Sequence, residues 1–179
     1  MSDFLHTPFY CEENIWQLCQ HPSLRERERK FVVWITSCGE VCAVWKQKAA
    51  KGPDKPIGWD YHVVLLAESE SGWELWDLDT TLSCPTSLDD WLSGSFPFAG
   101  EIPEEFEPRF RLVAADQFVA SFSSDRSHML DRRGRYRKPP PAWPAIRGAE
   151  ASNFSRWLDA ADPIAAPPIS LDELRLRFS

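Results

Sequence analysis

Residues 61–67 read YHVVLLA and residues 73–78 read WELWDL, with the turn sequence SESG at residues 69–72 between them. Both segments are rich in the β-branched and aromatic residues that favour strands. A short Gly-containing stretch between two such segments is typical of a β-hairpin. The sequence therefore predicts an antiparallel hairpin here, and antiparallel pairing sets the class of the whole fold.

A second hairpin is predicted upstream of the first. Residues 30–36 read KFVVWIT and residues 41–47 read VCAVWKQ, and a short SCGE turn separates them. Residues 48–57 are polar and carry Gly and Pro, which indicates a loop that joins the two hairpins. Residues 109–113, RFRLV, have the composition of a further strand.

Helical patterns lie at both ends of the chain. Residues 11–20, CEENIWQLCQ, place four apolar side chains on one helical face: Cys11, Ile15, Leu18 and Cys19. Ser170 and Glu173 have the spacing of a capping box that begins a final helix. Helices first and last, with hairpins between, predict an α+β fold in which helices pack on an antiparallel sheet. At 179 residues, the expected organisation is one domain spanning residues 1–179.

The charge balance argues against nucleic acid as a partner. The chain carries 27 acidic and 20 basic residues, for a formal net charge of -7. Binding to a phosphate backbone usually requires an excess of Lys and Arg. The basic stretch from Arg132 to Lys138 is the exception, and it is predicted to be a solvated loop.

Cysteine usage and the N-terminal sequence indicate an intracellular protein. The cysteine count is odd, at five, and no CxxC pair is present, so reduced thiols are expected and a metal site is not. Residues 1–14 lack the basic segment and apolar core of a signal peptide. No apolar run approaches the ~20 residues of a membrane span. We expect a cytoplasmic protein, with a nuclear location also open, and no membrane partner.

Two residues are candidates for nucleophilic chemistry. Cys11 lies where the first helix begins, and a helix N-terminus lowers the pKa of a thiol. His62 lies within a predicted strand, where it could act as the base that a thiol nucleophile needs. A third group must fix the tautomer of that base.

The hairpin supplies that third group in either of two registers. A two-residue turn at Ser69 and Glu70 would place Asp77 opposite His62. A four-residue turn at 69–72 would place Asp79 opposite His62 instead. Both aspartates lie on the same strand face because side chains alternate with a period of two. The order Cys, His, Asp, on a helix start and two strands, is typical of papain-like and transglutaminase-like thiol hydrolases.

The longest motifs resemble a known family. The stretches are YCEEN at residues 10–14, WDYHVVLL at 59–66, DLDT at 77–80, DRSHM at 125–129 and PPP at 139–141. Together they closely resemble the protein N-terminal glutamine amidohydrolases, from about Tyr10 to the final helix. The resemblance implies a catalytic triad of Cys11, His62 and Asp77, and so favours Asp77 over Asp79.

The resemblance also implies a reaction and its partners. The family hydrolyses the side-chain amide of an N-terminal Gln in proteins and peptides through a Cys thioester, giving Glu and ammonia without metal or organic cofactor. Its products feed the N-degron pathway, whose other enzymes are then expected partners. A monomer is the expected state.

Selectivity for a chain terminus requires a carboxylate that reads the free α-ammonium. Four acidic residues next to the motifs are candidates for this role: Glu12, Glu13, Asp60 and Asp125. Glu12 and Glu13 could instead only complement the helix dipole. Trp59 is a candidate for lining the glutamine pocket. Asp125, Arg126, Ser127 and His128 are expected to satisfy one another in a structural network.

Two other functions fit the same sequence. The triad would equally serve a cysteine peptidase or a transglutaminase-like enzyme. Alternatively, the chain could be a non-catalytic module that binds partners through its Pro-rich segment at residues 139–144, which is predicted to be extended.

Overall fold

The computed structural model describes residues 4–179, so Met1, Ser2 and Asp3, the first residues of the predicted domain 1–179, lie outside the described residues. The helices are α1 Cys11–Cys19, α2 Pro22–Arg25, α3 Leu88–Ser95, α4 Ala115–Ser121, α5 Phe154–Leu158 and α6 Leu171–Arg177. The strands are β1 Lys30–Thr36, β2 Cys42–Val44, β3 Ile57–Trp59, β4 His62–Ser69, β5 Gly72–Trp76, β6 Thr86–Ser87 and β7 Arg109–Ala114.

The main sheet has five strands in the order β6-β5-β4-β1-β7, and every neighbouring pair is antiparallel. Helices pack on both of its faces, so the predicted α+β class is confirmed. The predicted capping box is also present: the Ser170 hydroxyl accepts the Glu173 backbone N–H, and the Glu173 carboxylate accepts the Ser170 backbone N–H. Among residues 4–179, no helix is long and apolar enough to cross a membrane.

The hairpin of β4 and β5 forms as predicted and has the register expected for the turn at 69–72, although the turn itself is shorter. Ser69 pairs with Gly72, so Glu70 and Ser71 alone form the turn. Gly72 has φ +117, a conformation that side-chain-bearing residues rarely adopt, and this glycine fixes where the turn closes. Extended beyond its last pair, this register would place Asp79 opposite His62.

The predicted upstream hairpin is wrong. β1 pairs instead with β4 on one side and with β7 on the other. β2 pairs with β3 in a separate two-stranded sheet. The reason is burial: residues 32–35 of β1 are all buried, so this strand takes a central place with a long strand on each side. β2 is only three residues long, and Lys46 soon turns the chain with a positive φ of 54°.

The sheet separates two apolar cores. The core on the α1 side contains Trp34, fully buried and stacked on Trp157 of α5 with ring centroids 6.0 Å apart. The opposite core is formed with α3 and α6, through side chains such as Trp91 and Leu174. The predicted apolar face of α1 is confirmed, because all four of its side chains are buried. This packing fixes the start of α1 against β4.

Candidate active site

Cys11 is the first residue of α1 and lies at the wall of a small cavity. Its side chain is only 6% exposed. The cavity has a volume of about 240 Å³ and is also lined by Trp59, Asp60, Tyr61 and His128. Cavities that hold drug-sized ligands usually measure about 300–1,000 Å³. This one therefore suits a single side chain better than a length of peptide.

His62 forms a buried hydrogen bond with Asp77. The His62 Nε2 atom lies 2.9 Å from Asp77 Oδ1, and both side chains are at most 1% exposed. Asp79, the alternative that the strand register favours, accepts a hydrogen bond from His6 instead, at 2.8 Å. β5 ends at Trp76, so the ladder does not continue to the aspartates. The geometry thus joins His62 to Asp77.

The chain after β5 is held away from the sheet by a second set of contacts. The Lys48 N–H donates to the Asp79 carbonyl at 2.8 Å, and the Thr81 N–H donates to the Lys46 carbonyl at 2.7 Å. Gln47 and Thr80 form an antiparallel bridge between these contacts. This pairing bends the chain beyond Trp76 and aims Asp77 at His62.

The Asp77 carboxylate is saturated with donors. Oδ1 accepts the Asp79 backbone N–H at 3.0 Å in addition to His62. Oδ2 accepts from Gln47 Nε2 at 2.9 Å and from Trp91 Nε1 at 3.2 Å. A carboxylate with this many partners has one orientation, and it holds the imidazole in one orientation as well.

The other ring nitrogen of His62 is unoccupied. Nδ1 is buried and has no hydrogen-bond partner within residues 4–179. The ring stacks on Trp59 of β3, with centroids 5.5 Å apart and an interplanar angle of 11°. Because Nε2 donates to Asp77, Nδ1 carries the lone pair of the neutral ring. It is the atom available to accept a proton.

Opposing effects set the pKa values of this pair. Burial lowers the pKa of His62, but the charge and hydrogen bond of Asp77, with the charges of Asp79 and Glu12, raise it above its ordinary value. Burial raises the pKa of Asp77, but the charge and hydrogen bond of His62, and further bonds from Gln47 and the Asp79 backbone, bring it below its ordinary value. Asp77 therefore stabilises the imidazolium that forms when His62 accepts a proton.

The Cys11 thiol behaves differently from the sequence expectation. Burial raises its pKa well above the ordinary value, and the charges of Glu12, Asp79 and Asp77 add to this effect. A hydrogen bond from the Val63 backbone acts in the opposite direction. The lowering expected from the helix start is thus outweighed. These effects favour the neutral thiol, whose Sγ lies 3.7 Å from Glu12 Oε2.

Glu12 is fully buried behind the cavity wall. Its Oε2 accepts the Tyr61 hydroxyl at 3.0 Å. Its Oε1 has no hydrogen-bond partner in the described chain, although His128 Nε2 lies 3.4 Å away. His128 stacks on Phe154 with ring centroids 3.8 Å apart. Glu12 thus places a buried negative charge next to Cys11.

Glu13 is fully engaged elsewhere. Arg126 binds both of its carboxylate oxygens at 2.7 Å, and Trp143 Nε1 donates to Oε2 at 2.8 Å. The expected network within residues 125–128 is therefore only partly present, since Arg126 reaches across to α1 while Asp125 and Ser127 are hydrogen-bonded to each other. Asp125 is exposed and accepts the Ser127 backbone N–H at 2.9 Å. Neither Glu13 nor Asp125 lines the cavity.

Asp60 and Trp59 both line the cavity beside Cys11. Asp60 is exposed at the surface, and its Oδ1 accepts the Tyr61 backbone N–H at 3.0 Å. Its second oxygen accepts no hydrogen bond from the described residues. Of the acidic candidates, Asp60 alone lines the cavity.

Comparison with known proteins places this arrangement in a family. A family model described as N-terminal glutamine amidase matches residues 6–166, a span that holds Cys11, His62 and Asp77. This chain belongs to the N-terminal glutamine amidase family. The family resemblance seen in the sequence motifs is thereby confirmed.

Curated relatives support the same family over most of the chain. A Bos taurus protein named protein N-terminal glutamine amidohydrolase is 38% identical over 176 residues, which cover 95% of this chain and 84% of that protein. The Homo sapiens protein of the same name is 38% identical over 151 residues, 82% of this chain and 73% of that protein. The Caenorhabditis elegans protein of that name is 32% identical over 165 residues, 91% of this chain and 89% of that protein.

Three residues of this family member's site escaped the sequence reasoning: Gln47, Tyr61 and Trp91. Gln47 is the last residue of the upstream segment 41–47. Its polar side chain at the end of an apolar segment is the only local indication of a role in the site. Trp91 fits an ordinary core position of a helix. Nothing local indicates that Gln47 and Trp91 meet at one carboxylate, because they lie 44 positions apart in the chain.

One group in the site has the composition of a metal site. His62, Asp77 and Asp79 bring one ligand atom each within 4.8 Å of one another. Hydrogen bonds already explain why these side chains lie together, since donors bind both carboxylate oxygens of Asp77 and one of Asp79. We therefore describe this group as a hydrogen-bonded cluster.

Proposed function

We propose that this protein hydrolyses the side-chain amide of an N-terminal glutamine, producing N-terminal glutamate and ammonia. One observation carries the proposal. His62 is fixed through Nε2 by Asp77 while Nδ1 is unoccupied, and Cys11 lies at the wall of a cavity sized for one side chain. The names of the relatives supply the substrate, because they are protein N-terminal glutamine amidohydrolases.

In the first step, His62 Nδ1 takes the thiol proton while Cys11 Sγ attacks the amide carbon. The buried thiol is neutral at rest, so proton transfer accompanies the attack. The negative charge then moves to the amide oxygen, which needs donors. The N–H of Cys11 is one such donor, because the first residue of a helix has no intrahelical acceptor.

In the second step, protonated His62 delivers its proton to the departing ammonia, and a Cys11 thioester forms. Water, deprotonated by His62, then attacks the thioester carbonyl and releases glutamate. The thiolate of Cys11 recovers its proton from His62. Asp77 stabilises the imidazolium in both half-reactions and keeps Nδ1 directed at the reacting atoms.

Substrate recognition is assigned to Asp60 and Trp59. Only four bonds separate the attacked carbon of a glutamine from its α-nitrogen, so the group that reads the α-ammonium must be close to Cys11. Asp60 lies on the cavity wall with an unoccupied oxygen. Trp59 forms the apolar wall beside the glutamine side chain. Glu12 contributes a buried negative charge that favours a cation in the cavity.

Asp60→Asn is expected to raise KM for a Gln-starting peptide roughly tenfold to a hundredfold, because a charge-assisted hydrogen bond contributes about 1.5–3 kcal/mol. kcat should change little, since the α-ammonium is bound equally in the ground and transition states. Steady-state ammonia release gives both constants. An unchanged KM would remove Asp60 from this role.

Glu12→Gln removes the charged group that lies behind the cavity wall. The charge of Glu12 raises the pKa of the Cys11 thiol, so this substitution should lower that pKa. Alkylation of Cys11 by iodoacetamide at neutral pH should then be faster than in the parent protein, as read by the mass of the Cys11 peptide. Asp60→Asn should leave this rate unchanged.

We also propose a fold class. The order of Cys11, His62 and Asp77 along the chain supports a papain-like or transglutaminase-like thiol hydrolase. Both cores share one sheet, which supports a single catalytic domain over residues 1–179. We propose that the protein acts as a monomer in the cytoplasm or nucleus, with N-terminal Gln proteins as substrates and N-degron enzymes as further partners.

The deciding experiment uses two peptides and one variant. A peptide with a free N-terminal Gln should gain about one mass unit and release ammonia, as expected when an amide becomes an acid. A peptide with only an internal Gln should not change, and Cys11→Ala should abolish the reaction. Cleavage of either peptide would favour a cysteine peptidase, and amine incorporation would favour a transglutaminase.

A further inference from the structure

Residues 129–138 form an ordered hairpin, which we call the basic hairpin. Leu130 and Tyr136 form an antiparallel bridge, and the Arg137 N–H donates to the Met129 carbonyl at 2.9 Å. The Asp131 carboxylate closes the turn by accepting the backbone N–H groups of Arg133 and Arg135 at 2.8 and 3.0 Å. These bonds hold the backbone of the hairpin in one conformation.

The basic hairpin concentrates positive charge in an acidic protein. It carries five of the chain's 20 Lys and Arg residues, and all five are exposed: Arg132, Arg133, Arg135, Arg137 and Lys138. Among residues 4–179, only Arg135 of these five has an acidic partner, Asp131. Lys138 lies over the Phe9 ring, 4.0 Å from its centroid. Arg132 and Arg133 therefore present their charge to solvent without an acidic partner among the described residues.

The base of this hairpin is part of the candidate active site. Met129, Arg137 and Lys138 line the same cavity as Cys11. The tip, with Arg132 and Arg133, lies three to four residues further along each arm. An extended chain advances about 3.3 Å per residue. A substrate that leaves the cavity along the hairpin would thus bring roughly its third to sixth residues beside the tip.

We propose that the basic hairpin binds acidic side chains near the start of the substrate, so that the enzyme prefers N-terminal Gln followed by an acidic segment. This inference rests on the proposed function. The charges form two zones: Asp60 on the cavity wall and Glu12 behind it suit the α-ammonium, whereas the basic side chains suit carboxylates, from Arg137 and Lys138, which line the cavity at the hairpin base, to Arg132 and Arg133 at the tip. An acidic peptide with a free amine matches both zones in only one orientation.

The test compares three peptides that begin with Gln-Gly and differ only at their third to sixth residues, which are all Asp, all Ser or all Lys. At low salt, kcat/KM should be highest for the Asp peptide and lowest for the Lys peptide, by roughly tenfold overall. High salt should reduce this ratio because exposed charges are screened. Arg132→Glu/Arg133→Glu should reverse the order.

The matched control is Arg175→Glu/Arg177→Glu, which makes the same charge change on α6, against the opposite core. It should keep the order of the parent protein. Equal kcat/KM for all three peptides, with ammonia released from each, would overturn the inference and leave the proposed function intact. Loss of the Asp preference to the same extent in the control would also overturn it.

Tight, hairpin-dependent binding of a single-stranded RNA, without any peptide preference, would assign the hairpin to nucleic acid instead. No ammonia from any peptide would refute the proposed function and this inference with it.

Discussion

Asp77→Asn is expected to lower kcat by roughly 10⁴-fold, the loss that follows when the aspartate of a Ser-His-Asp triad becomes an amide. Gln47 and Trp91 both donate to Asp77 Oδ2. An asparagine that places its NH₂ there faces two donors, and one that turns around directs its NH₂ at His62. The first arrangement loses the two donors that orient residue 77, and the second loses the hydrogen bond to His62.

The pH profile provides a second readout for the same variant. His62 must be neutral to act as a base, so kcat/KM should fall as pH drops through its pKa. Asp77 raises that pKa, whereas burial lowers it. Removing the charge should therefore move the acid limb of the profile to lower pH. Steady-state rates across pH report both effects.

Asp79→Asn is the matched control, since Asp79 bonds to His6 and has no hydrogen bond to His62. It should retain most of the activity and shift the acid limb only slightly, because its charge makes a smaller contribution to the pKa of His62. If Asp79→Asn lost as much activity as Asp77→Asn, the assignment of Asp77 would be refuted. The strand register would then have indicated the correct aspartate.

Arg126→Met is expected to lower the free energy of unfolding by about 3–5 kcal/mol, the usual cost of removing one partner of a buried ion pair. Glu13 is fully buried and Arg126 is 6% exposed, so the remaining carboxylate would have no water to replace its partner. Arg126 also donates to the carbonyl of Trp143 at 2.9 Å, which ties the Pro-rich crossing to α1. Urea unfolding gives the difference.

Two further variants separate charge from packing. Adding Glu13→Gln to Arg126→Met removes the stranded charge while keeping an acceptor for Trp143, and should recover part of the lost stability. Arg135→Met breaks an exposed pair with Asp131 and should have a much smaller effect. An Arg126→Met protein as stable as Arg135→Met would show that the buried pair contributes little.

The elements that could be predicted from sequence are those set by local pattern. The face of α1, the hairpin of β4 and β5, and the capping box of α6 all follow from spacing within one short segment. The partner of β1 could not be predicted this way. Its apolar run fits a hairpin strand as well as a central one, and only the packing of α1 and α6 on opposite faces decides between them.

The same limit applies to the candidate site. Cys11 and His62 stood out because their elements were clear, and the family motif favoured Asp77. The strand register alone favours Asp79, since pairing is set by the Glu70–Ser71 turn. Asp77 reaches His62 because the bridge between Gln47 and Thr80 bends the chain, and such a bridge between distant segments leaves no local signal.

That bend makes the number of residues after β5 as important as their identity. The Glu70–Ser71 turn is exposed and ends in solvent, so a longer loop there would disturb little beyond the turn itself. An insertion of one residue between Trp76 and Thr80, however, would leave the pairing of β4 with β5 intact. It would move the Asp77 carboxylate out of reach of its three side-chain donors, His62, Gln47 and Trp91. The turn before β5 therefore tolerates a change in length, whereas the segment after β5 does not.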